Sequence, residues 1–413
     1  MIRIWLVAGA LSLGVVACGA DDSGAAGVSY IPVPGCEHLD YAPCDTLQTS
    51  CQVSRLELAA CLRGSEPGEL PPVMLISEAE YAESLTDWTT ENPRPNPDHF
   101  ERALSKLGLV APGAFLPATS VMTQVKQIWA FYDDDARSIT LIDHGSPAAD
   151  ARSNAVLVHE LVHALQDRDV PLASYVDARK DTADKVTALR SVIEGEARLH
   201  EDRYAASLSG LDPASVDWPD LSRKRIANTE EWALEQPSPL LALQRLFPYD
   251  YGERFANFAW QSGGHEAVLE LFASPPLSSW VLMASSEQPH EPLPGSDLLG
   301  PAPPECWTHL YQDTLGALGL LVALAGSEKS AEPFRALALS WRGDGLSVYS
   351  GPETPAGTAL VWQIELADEA SATAVASRLR ALVSNSRVEG QGARVVVALA
   401  TSSISLDWAF ASP

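Results

Sequence analysis

Two histidines and a glutamate stand close together in the otherwise apolar segment VLVHELVHALQD, Val156–Asp167. Residues four apart on an α-helix lie on one face a turn apart, so His159 and His163 would direct their imidazoles toward one point. Two neutral imidazole nitrogens in this arrangement can bind one zinc ion. Glu160 would lie to the side of the metal, where a carboxylate can take a proton from the water that the metal activates.

Apolar residues surround the three polar ones and predict that this helix is buried. Burying three polar groups without partners would be costly, whereas a metal ion and polar contacts behind its ligands would satisfy them. The alternative is a core helix whose two histidines are hydrogen-bonded without a metal.

A catalytic zinc site needs a third protein ligand, which must come from another element. After His163, no histidine follows until His200. A second helix is predicted from about Thr182 to Tyr204, because apolar residues recur there at helical spacing. If this helix returns beside the first, the carboxylate of Glu194 or Glu196 can reach the metal.

The combination of HExxH with a later helical glutamate resembles the gluzincin metallopeptidases, which include thermolysin and the zinc aminopeptidases. EGEA at residues 194–197 resembles the EGxA form of their third-ligand motif. The resemblance implies a zincin-like fold, a zinc cofactor and a peptide or protein substrate. Carried over by position, it implies the ligands His159, His163 and Glu194, the general base Glu160 and the weaker candidate ligand Glu196.

Scattered segments are also similar to a bacterial group of exported HExxH metallopeptidases. These segments are AFYD, HELVHALQD, EGEA, FPYDYG, SGGHEAV, ASPPLSS and SWRGD. They fall between about residues 70 and 380, so the resemblance covers most of the chain after its N-terminal segment.

Two departures from these families bear on activity. Thermolysin-like enzymes carry an aspartate four residues after the ligand glutamate, and this chain has Arg198 there. The closer group has a histidine-proline pair where this chain has Trp280 to Met283. They support an alternative function, a catalytically weak or inactive zinc-binding envelope lipoprotein that acts as a binding or structural module. Asp167 is the candidate for a missing contact to His163; a solvated aspartate at a helix end is the alternative.

Peptide hydrolysis also needs a hydrogen-bond donor for the developing oxyanion. Tyr249 in FPYDYG is the preferred candidate, with Tyr251 and His265 as further ones. Each is alternatively a packed aromatic or a surface residue. The strand through Thr140–Asp143 is expected to be an edge strand, which either binds an extended substrate through its backbone or has no such role.

The N-terminal segment is typical of an export signal, with a basic start and an apolar run to Val16 that is too short to span a bilayer. VVAC, which ends at Cys18, resembles the lipobox of bacterial lipoproteins. We therefore predict a signal peptide at 1–17 and a tether at 18–30, lipidated at Cys18. The predicted location is the bacterial cell envelope, anchored in a membrane on the periplasmic or outer-membrane face. An ordinary cleaved signal is the alternative.

The composition limits the kinds of partner that the protein can bind. Among 413 residues, 28 are Lys or Arg and 54 are Asp or Glu, which gives a formal net charge of -26. This charge would repel a phosphate backbone, so we expect no nucleic-acid partner. Four of the 6 cysteines, Cys36, Cys44, Cys51 and Cys61, lie close together and predict two local disulfides of open connectivity, while Cys306 is left over.

The order of the predicted elements indicates an α+β protein. A Cys-rich cap at 31–70 is followed by a mainly helical zincin-like domain at 71–330 and a small α+β unit at 331–413. Two short strands around an acidic turn, Asp133 to Asp135, precede the zinc helix.

Three further segments have local predictions. Ser146 is expected to cap the zinc helix. TLGALGLLVALAG, from Thr314, is expected to be a buried helix because it is too short for a membrane span. Arg342-Gly343-Asp344 spells an adhesion tripeptide, but is expected to be a turn.

Overall fold

The computed structural model describes residues 6–9, 30–91, 97–114, 121, 125–145, 148–178, 181–284, 298, 301–351, 357–400 and 406–410. The predicted lipidation site Cys18 and the predicted cap Ser146 lie outside these residues. In the described parts, no helix combines the length and apolar character that a membrane span requires.

The first part of the chain combines a four-stranded sheet with several long helices. The strands are β1 (Leu6–Gly9), β2 (Val73–Ser77), β3 (Ile128–Asp133) and β4 (Ser138–Asp143). The helices are α1 (Thr49–Arg63), α2 (Glu78–Glu91), α3 (Pro97–Lys106), α4 (Ala151–Asp169), α5 (Leu172–Asp177), α6 (Ala183–Leu208), α7 (Trp218–Leu234), α8 (Pro239–Ala273) and α9 (Ser279–Ala284).

The second part is built on a five-stranded antiparallel sheet of order β5-β6-β7-β9-β8. Its elements are β5 (Thr308–Asp313), α10 (Gly316–Ala325), α11 (Glu332–Ala338), β6 (Trp341–Ser350), β7 (Thr358–Leu366), α12 (Glu369–Leu382), β8 (Ser386–Gln391) and β9 (Arg394–Ala400), followed by the 3-10 helix Asp407–Phe410. Two sheets with many helices confirm the predicted α+β class. The second sheet includes β5, which lies before the boundary expected near residue 330.

The first sheet has the order β1-β3-β4-β2. β3 and β4 form the predicted hairpin, and β2 pairs with β4 in parallel. The expectation that Thr140–Asp143 lies at an edge is therefore wrong, because β4 has a partner on each side. The outer neighbour of β3 is β1, which pairs with it antiparallel and lies within the predicted signal peptide.

The helix that carries HELVH begins later than expected. Its N-cap is Asp150, whose carboxylate accepts a hydrogen bond from the backbone N–H of Ser153. A start at Ser146 is thus wrong, since Ala151 is the first helical residue. The predicted burial is confirmed, because the side chains of Leu157, Val158, Leu161 and Val162 are inaccessible to solvent.

Two glycines allow α6 and α8 to cross in backbone contact. A Cβ atom on Gly195 would lie 2.3 Å from the carbonyl carbon of Gly252, and one on Gly252 would lie 2.3 Å from the Ser191 oxygen. Only glycine fits such a close approach. The crossing brings the α8 segment before Gly252 against the α6 segment before Gly195.

α8 extends from Pro239 to Ala273. Pro248 lies inside it, and the helical geometry is interrupted at Gly263 and Gly264. Gly264 has a φ of 63°, which favours glycine. The chain therefore changes direction beyond the segment that approaches α6.

The N-terminal cap contains both predicted disulfides, Cys36–Cys61 and Cys44–Cys51. They connect α1 to the segment before it. α1 packs against α4, so the cap lies directly on the HELVH helix. Cys306 is a free and exposed thiol.

The two parts of the chain share a core. α10 is buried along its whole length, as predicted, and joins one apolar cluster with α8 and the second sheet. Leu243 and Phe247 of α8 belong to this cluster together with Trp341 and Trp362.

The adhesion tripeptide lies in β6 rather than in a turn, so that expectation is wrong. Asp344 is completely buried. Its carboxylate accepts hydrogen bonds from the backbone of Leu315 (3.0 Å) and Gly316 (2.9 Å), and from the indoles of Trp341 (3.0 Å) and Trp362 (2.8 Å). The carboxylate therefore fixes the start of α10 and is inaccessible to an adhesion receptor in the folded protein.

Candidate metal centre

Three predicted ligands meet between α4 and α6. One ligand atom each of His159, His163 and Glu194 lies within 4.8 Å of the others, and all three side chains are fully buried. Glu194 Oε2 is 3.3 Å from His159 Nε2 and 3.5 Å from His163 Nε2. The antiparallel return of a second helix, inferred from spacing, thus brings the carboxylate to the histidine pair.

The donor atoms fit a divalent metal ion. His163 Nε2 is buried and makes no hydrogen bond to the described residues. The two imidazole rings are 4.7 Å apart at an interplanar angle of 80°, so both Nε2 atoms can face one point near the carboxylate. Two imidazole nitrogens and a carboxylate oxygen form a set that zinc and other divalent transition metals accept.

A carboxylate orients His159 from behind. His159 Nδ1 is 3.0 Å from Glu201 Oε2, and Arg198 Nη1 donates to Glu201 Oε1 at 2.9 Å. Arg198 Nε also lies 3.2 Å from Asp202 Oδ1. Arg198, which departs from the thermolysin-like pattern, therefore holds the carboxylate that takes over the contact to the histidine.

An amide supports His163 in the same way. His163 Nδ1 is 2.8 Å from Gln166 Oε1, and Gln166 Nε2 donates to Glu196 Oε2 at 2.9 Å. Glu196 Oε1 accepts from Arg63 Nε of α1 at 2.9 Å, and Arg63 also bonds Asp169. Glu196, the alternative ligand, instead lies behind the histidine, because its carboxylate is engaged by Gln166 and Arg63.

Asp167 does not contact His163. Its carboxylate accepts from the Tyr132 hydroxyl of β3 at 3.1 Å and from the backbone N–H of Leu172 at 2.9 Å. It therefore joins α4 to the first sheet and to α5, and Gln166 supplies the contact expected of it.

Gln166 and Glu201 were not predicted from the sequence. A signal for each was present, because Gln166 lies one turn beyond His163 and Glu201 lies two turns beyond Glu194 on the same helical face. Their side chains complete a support for each imidazole, of the kind that sets the orientation of metal-ligating histidines.

The charges of the metal-free centre are strongly coupled. Burial alone would raise the pKa of Glu194, but its close contacts with both histidines hold it far below its ordinary value. Burial would also raise the pKa of Glu201, but Arg198 and His159 lower it to about 2. Burial lowers the pKa of His159, and the bonds to Glu194 and Glu201 outweigh it and raise the value to about 10. The metal-free centre therefore carries a proton on His159 at neutral pH.

Glu160 and Tyr249 lie next to the ligands. Glu160 is completely buried on α4, and the Tyr249 ring is stacked 6.1 Å from that of His159. Burial and the negative charge of Glu194 raise the pKa of Tyr249 well above its ordinary value, so its hydroxyl keeps its proton. The α6–α8 crossing places Tyr249 here, since it lies one turn before Gly252.

The other candidate donors point elsewhere. The Tyr251 hydroxyl bonds Glu230 and accepts from Arg335 at 2.8 Å, on the far side of α8. His265 follows the interruption of α8, and its Nδ1 is 4.0 Å from Glu196 Oε1. Met283, where a histidine was expected from the closer family, is buried in the core shared with the second sheet.

A match to a protein-family model lies in the second part of the chain. Residues 308–409 match the model of a domain of unknown function, DUF8575. The match covers the five-stranded sheet and its helices and excludes the metal centre. No curated protein and no solved structure matches the chain.

Proposed function

We propose that this protein is a zinc-dependent peptidase with a gluzincin-like, zincin-type centre. The observation that carries the proposal is the buried convergence of His159, His163 and Glu194, with a support behind each imidazole. A metal site depends on such supports, because they set the orientation of the imidazoles that bind the metal.

The chain supplies groups for each proton transfer. Bound zinc would acidify a water molecule and polarise the scissile carbonyl. Glu160 would accept the proton lost by the attacking water and then donate it to the leaving amine. The protonated hydroxyl of Tyr249 would donate a hydrogen bond to the developing oxyanion.

The edge of β3 offers a place for an extended peptide. β1 pairs with β3 from Leu6 to Gly9 and belongs to the predicted signal peptide at 1–17. Removal of the signal would leave β3 with a free edge, and an extended substrate would add to it through backbone hydrogen bonds. This edge replaces β4 as the candidate substrate strand.

The proposed location is the bacterial cell envelope, with lipidation at Cys18 as the membrane anchor. Two disulfides in the cap agree with maturation in an oxidising compartment. The rival function, an inactive zinc-binding lipoprotein, loses one of its supports because Glu201 contacts His159 and is itself held by Arg198. Its remaining supports are the buried Met283 and the small C-terminal α+β unit, which could serve as an interaction module.

Two variants test the proposal. Wild type should copurify with about one equivalent of zinc, and His159→Ala should lose it. Glu160→Gln should keep the zinc and lose cleavage of a peptide library, because an amide does not accept the proton. Equal cleavage by wild type and Glu160→Gln would rule out the assigned base, and zinc-loaded but inactive wild type would favour the rival.

A further inference from the structure

Two arginines lie one helical turn before residues of the metal centre. Arg190 precedes Glu194 on α6, and Arg245 precedes Tyr249 on α8. One turn corresponds to an advance of about 5.4 Å along a helix. Each guanidinium therefore lies on the N-terminal side of the residue that its helix contributes to the centre.

The direction of the two helices brings these arginines together. Gly195 meets Gly252, and further along both helices Arg203 Nη2 donates to Asn257 Oδ1 at 3.2 Å. α6 and α8 thus run in the same direction through their contact. Counting back one turn from Glu194 and from Tyr249 places the two arginines at neighbouring positions on the two helices.

The arginine pair has little negative charge to balance it. Arg190 Nη2 is 3.5 Å from Glu194 Oε1, and its buried Nε has no hydrogen-bond partner among the described residues. Arg245 donates to Gln127, a neutral amide, and forms no ion pair within the described part of the chain. Burial and the neighbouring charge of Arg190 both lower the pKa of Arg245.

Two other arginines with buried guanidinium groups are matched to pairs of carboxylates. Arg63 contacts Glu196 and Asp169, and Arg225 contacts Asp202 and Glu253. Placing two guanidinium groups together in a partly buried site is unfavourable unless an anion joins them. The surplus of positive charge is local, since the whole chain carries -26.

We propose that Arg190 and Arg245 form a subsite that binds a carboxylate of the substrate beside the metal centre. The inference rests on the proposed peptidase function. Guanidinium groups match carboxylates in geometry and bind them with paired hydrogen bonds. The Arg190 side chain is 24% exposed, so a ligand can reach the pair from solvent.

The distance limits where this carboxylate lies in a peptide. An offset of about one helical turn corresponds to one or two residues of extended chain, at about 3.3 Å each. The carboxylate therefore belongs to a residue next to the scissile bond or one position beyond it. It is either the free C-terminus of the peptide or the side chain of an aspartate or glutamate.

Matched peptide pairs test the subsite. One pair has the same neutral sequence with a free or an amidated C-terminus; the other is amidated and carries an internal glutamate or glutamine. Dissociation constants are measured by fluorescence anisotropy with full-length, zinc-loaded Glu160→Gln, in which binding is followed without turnover. In one of the two pairs, the peptide that carries the carboxylate should bind at least about tenfold more tightly than its neutral partner. This ratio corresponds to about 1.4 kcal/mol.

Variants at Arg245 identify the source of this preference, because Arg245 does not contact a metal ligand. In the Glu160→Gln background, Arg245→Gln should reduce the preference to less than about twofold, and Arg245→Lys should restore part of it. Arg223→Gln removes a charge from a side chain that is 70% exposed on α7 and should leave the preference unchanged. Zinc content and thermal unfolding show whether each variant is folded.

The outcomes separate this inference from the proposed function. Preference for the free C-terminus would indicate a carboxypeptidase, and preference for internal glutamate would indicate an endopeptidase that selects acidic residues. Equal binding within both pairs, no binding at millimolar peptide, or a preference that persists in Arg245→Gln would overturn the subsite. A failed cleavage assay would count against the peptidase function alone, since the subsite is measured by binding.

Discussion

His159 donates through Nδ1 to Glu201, which lies two helical turns beyond Glu194 on α6, at a distance of 3.0 Å. Glu194, a candidate ligand, and Glu201, which orients the candidate ligand His159, therefore lie on the same face of α6. Arg198 holds Glu201 from the other side. Although residue 198 differs from the thermolysin-like pattern, a carboxylate one turn further along α6 therefore contacts His159.

The contact predicts the effect of Glu201→Gln on the metal. The amide keeps the shape but loses the negative charge, so zinc affinity should fall by about 10–100-fold, as is usual when a partner behind a ligand is changed. Competition with a chromophoric chelator measures the affinity. Glu231→Gln, an exposed change on α7, is the control. An affinity within twofold of wild type would show that Glu201 does not support the site.

Proton release should accompany metal binding. In the metal-free protein, the pKa of His159 is about 10, so at pH 8 the imidazole carries a proton that zinc must displace. Calorimetric titrations in buffers of different ionisation enthalpy should show about one proton released per zinc. No dependence on the buffer would contradict the protonated state.

The same shift has a consequence for the stability of the metal-free protein. A folded-state pKa above the unfolded value of about 6.5 means that the folded state binds more protons. The contribution of His159 to the free energy of unfolding is therefore present below about pH 6.5 and is lost as the pH rises toward 10. Denaturant unfolding of metal-free wild type and His159→Gln should show a difference that shrinks over this range. A difference that stays constant over this pH range would argue against the raised pKa of His159.

The crossing of α6 and α8 predicts the effect of Gly195→Ala. The new methyl group would overlap the backbone at Gly252, so the helices must separate. We expect a loss of about 1–3 kcal/mol in the free energy of unfolding, measured in urea, and a loss of activity because Tyr249 moves with α8. Gly390→Ala is a matched control, since the nearest atom to its added Cβ, of Ala376, lies at 4.0 Å. Equal stability of both variants would contradict the tight crossing.

Asp344 predicts a large effect far from the metal centre. In Asp344→Asn, the amide group would face N–H donors that now bond a carboxylate, so buried donors would lose their acceptors. The free energy of unfolding should fall by about 2–4 kcal/mol, measured in urea. Asp407→Asn, at an exposed ion pair with Arg387, should change it by less than about 1 kcal/mol. Similar losses in both variants would show that the four contacts are unimportant.

The candidate ligands were predictable because their signal is local. His159 and His163 are one turn apart on a helix, and the EGEA motif lies on the next long helix. Gln166 and Glu201 also lie at helical spacing, but many polar residues do so. Which of them face the metal depends on the rotation of α4 against α6, and this rotation is set by packing rather than by sequence spacing.

Non-local pairing explains the error at β4. The strand was expected to be an edge because the enzymes that the chain resembles offer an edge strand there, but β2, from much earlier in the chain, pairs with its other side. Pairing with a parallel partner does not change the pattern of apolar and polar residues in β4 itself. In α8, Pro248 lies inside the helix, and the packing of α8 against α6 and α7 preserves the helix through it.

The bond between Arg63 and Glu196 links the disulfide-bonded cap to the candidate metal centre. Arg63 is the last residue of α1, two positions after Cys61, and through Glu196 and Gln166 it reaches His163. A chain whose cap is still reduced would hold α1 less firmly and would present this imidazole in a less defined orientation. In the proposed location outside the cytoplasm, formation of the disulfides would therefore come before tight binding of the proposed zinc ion.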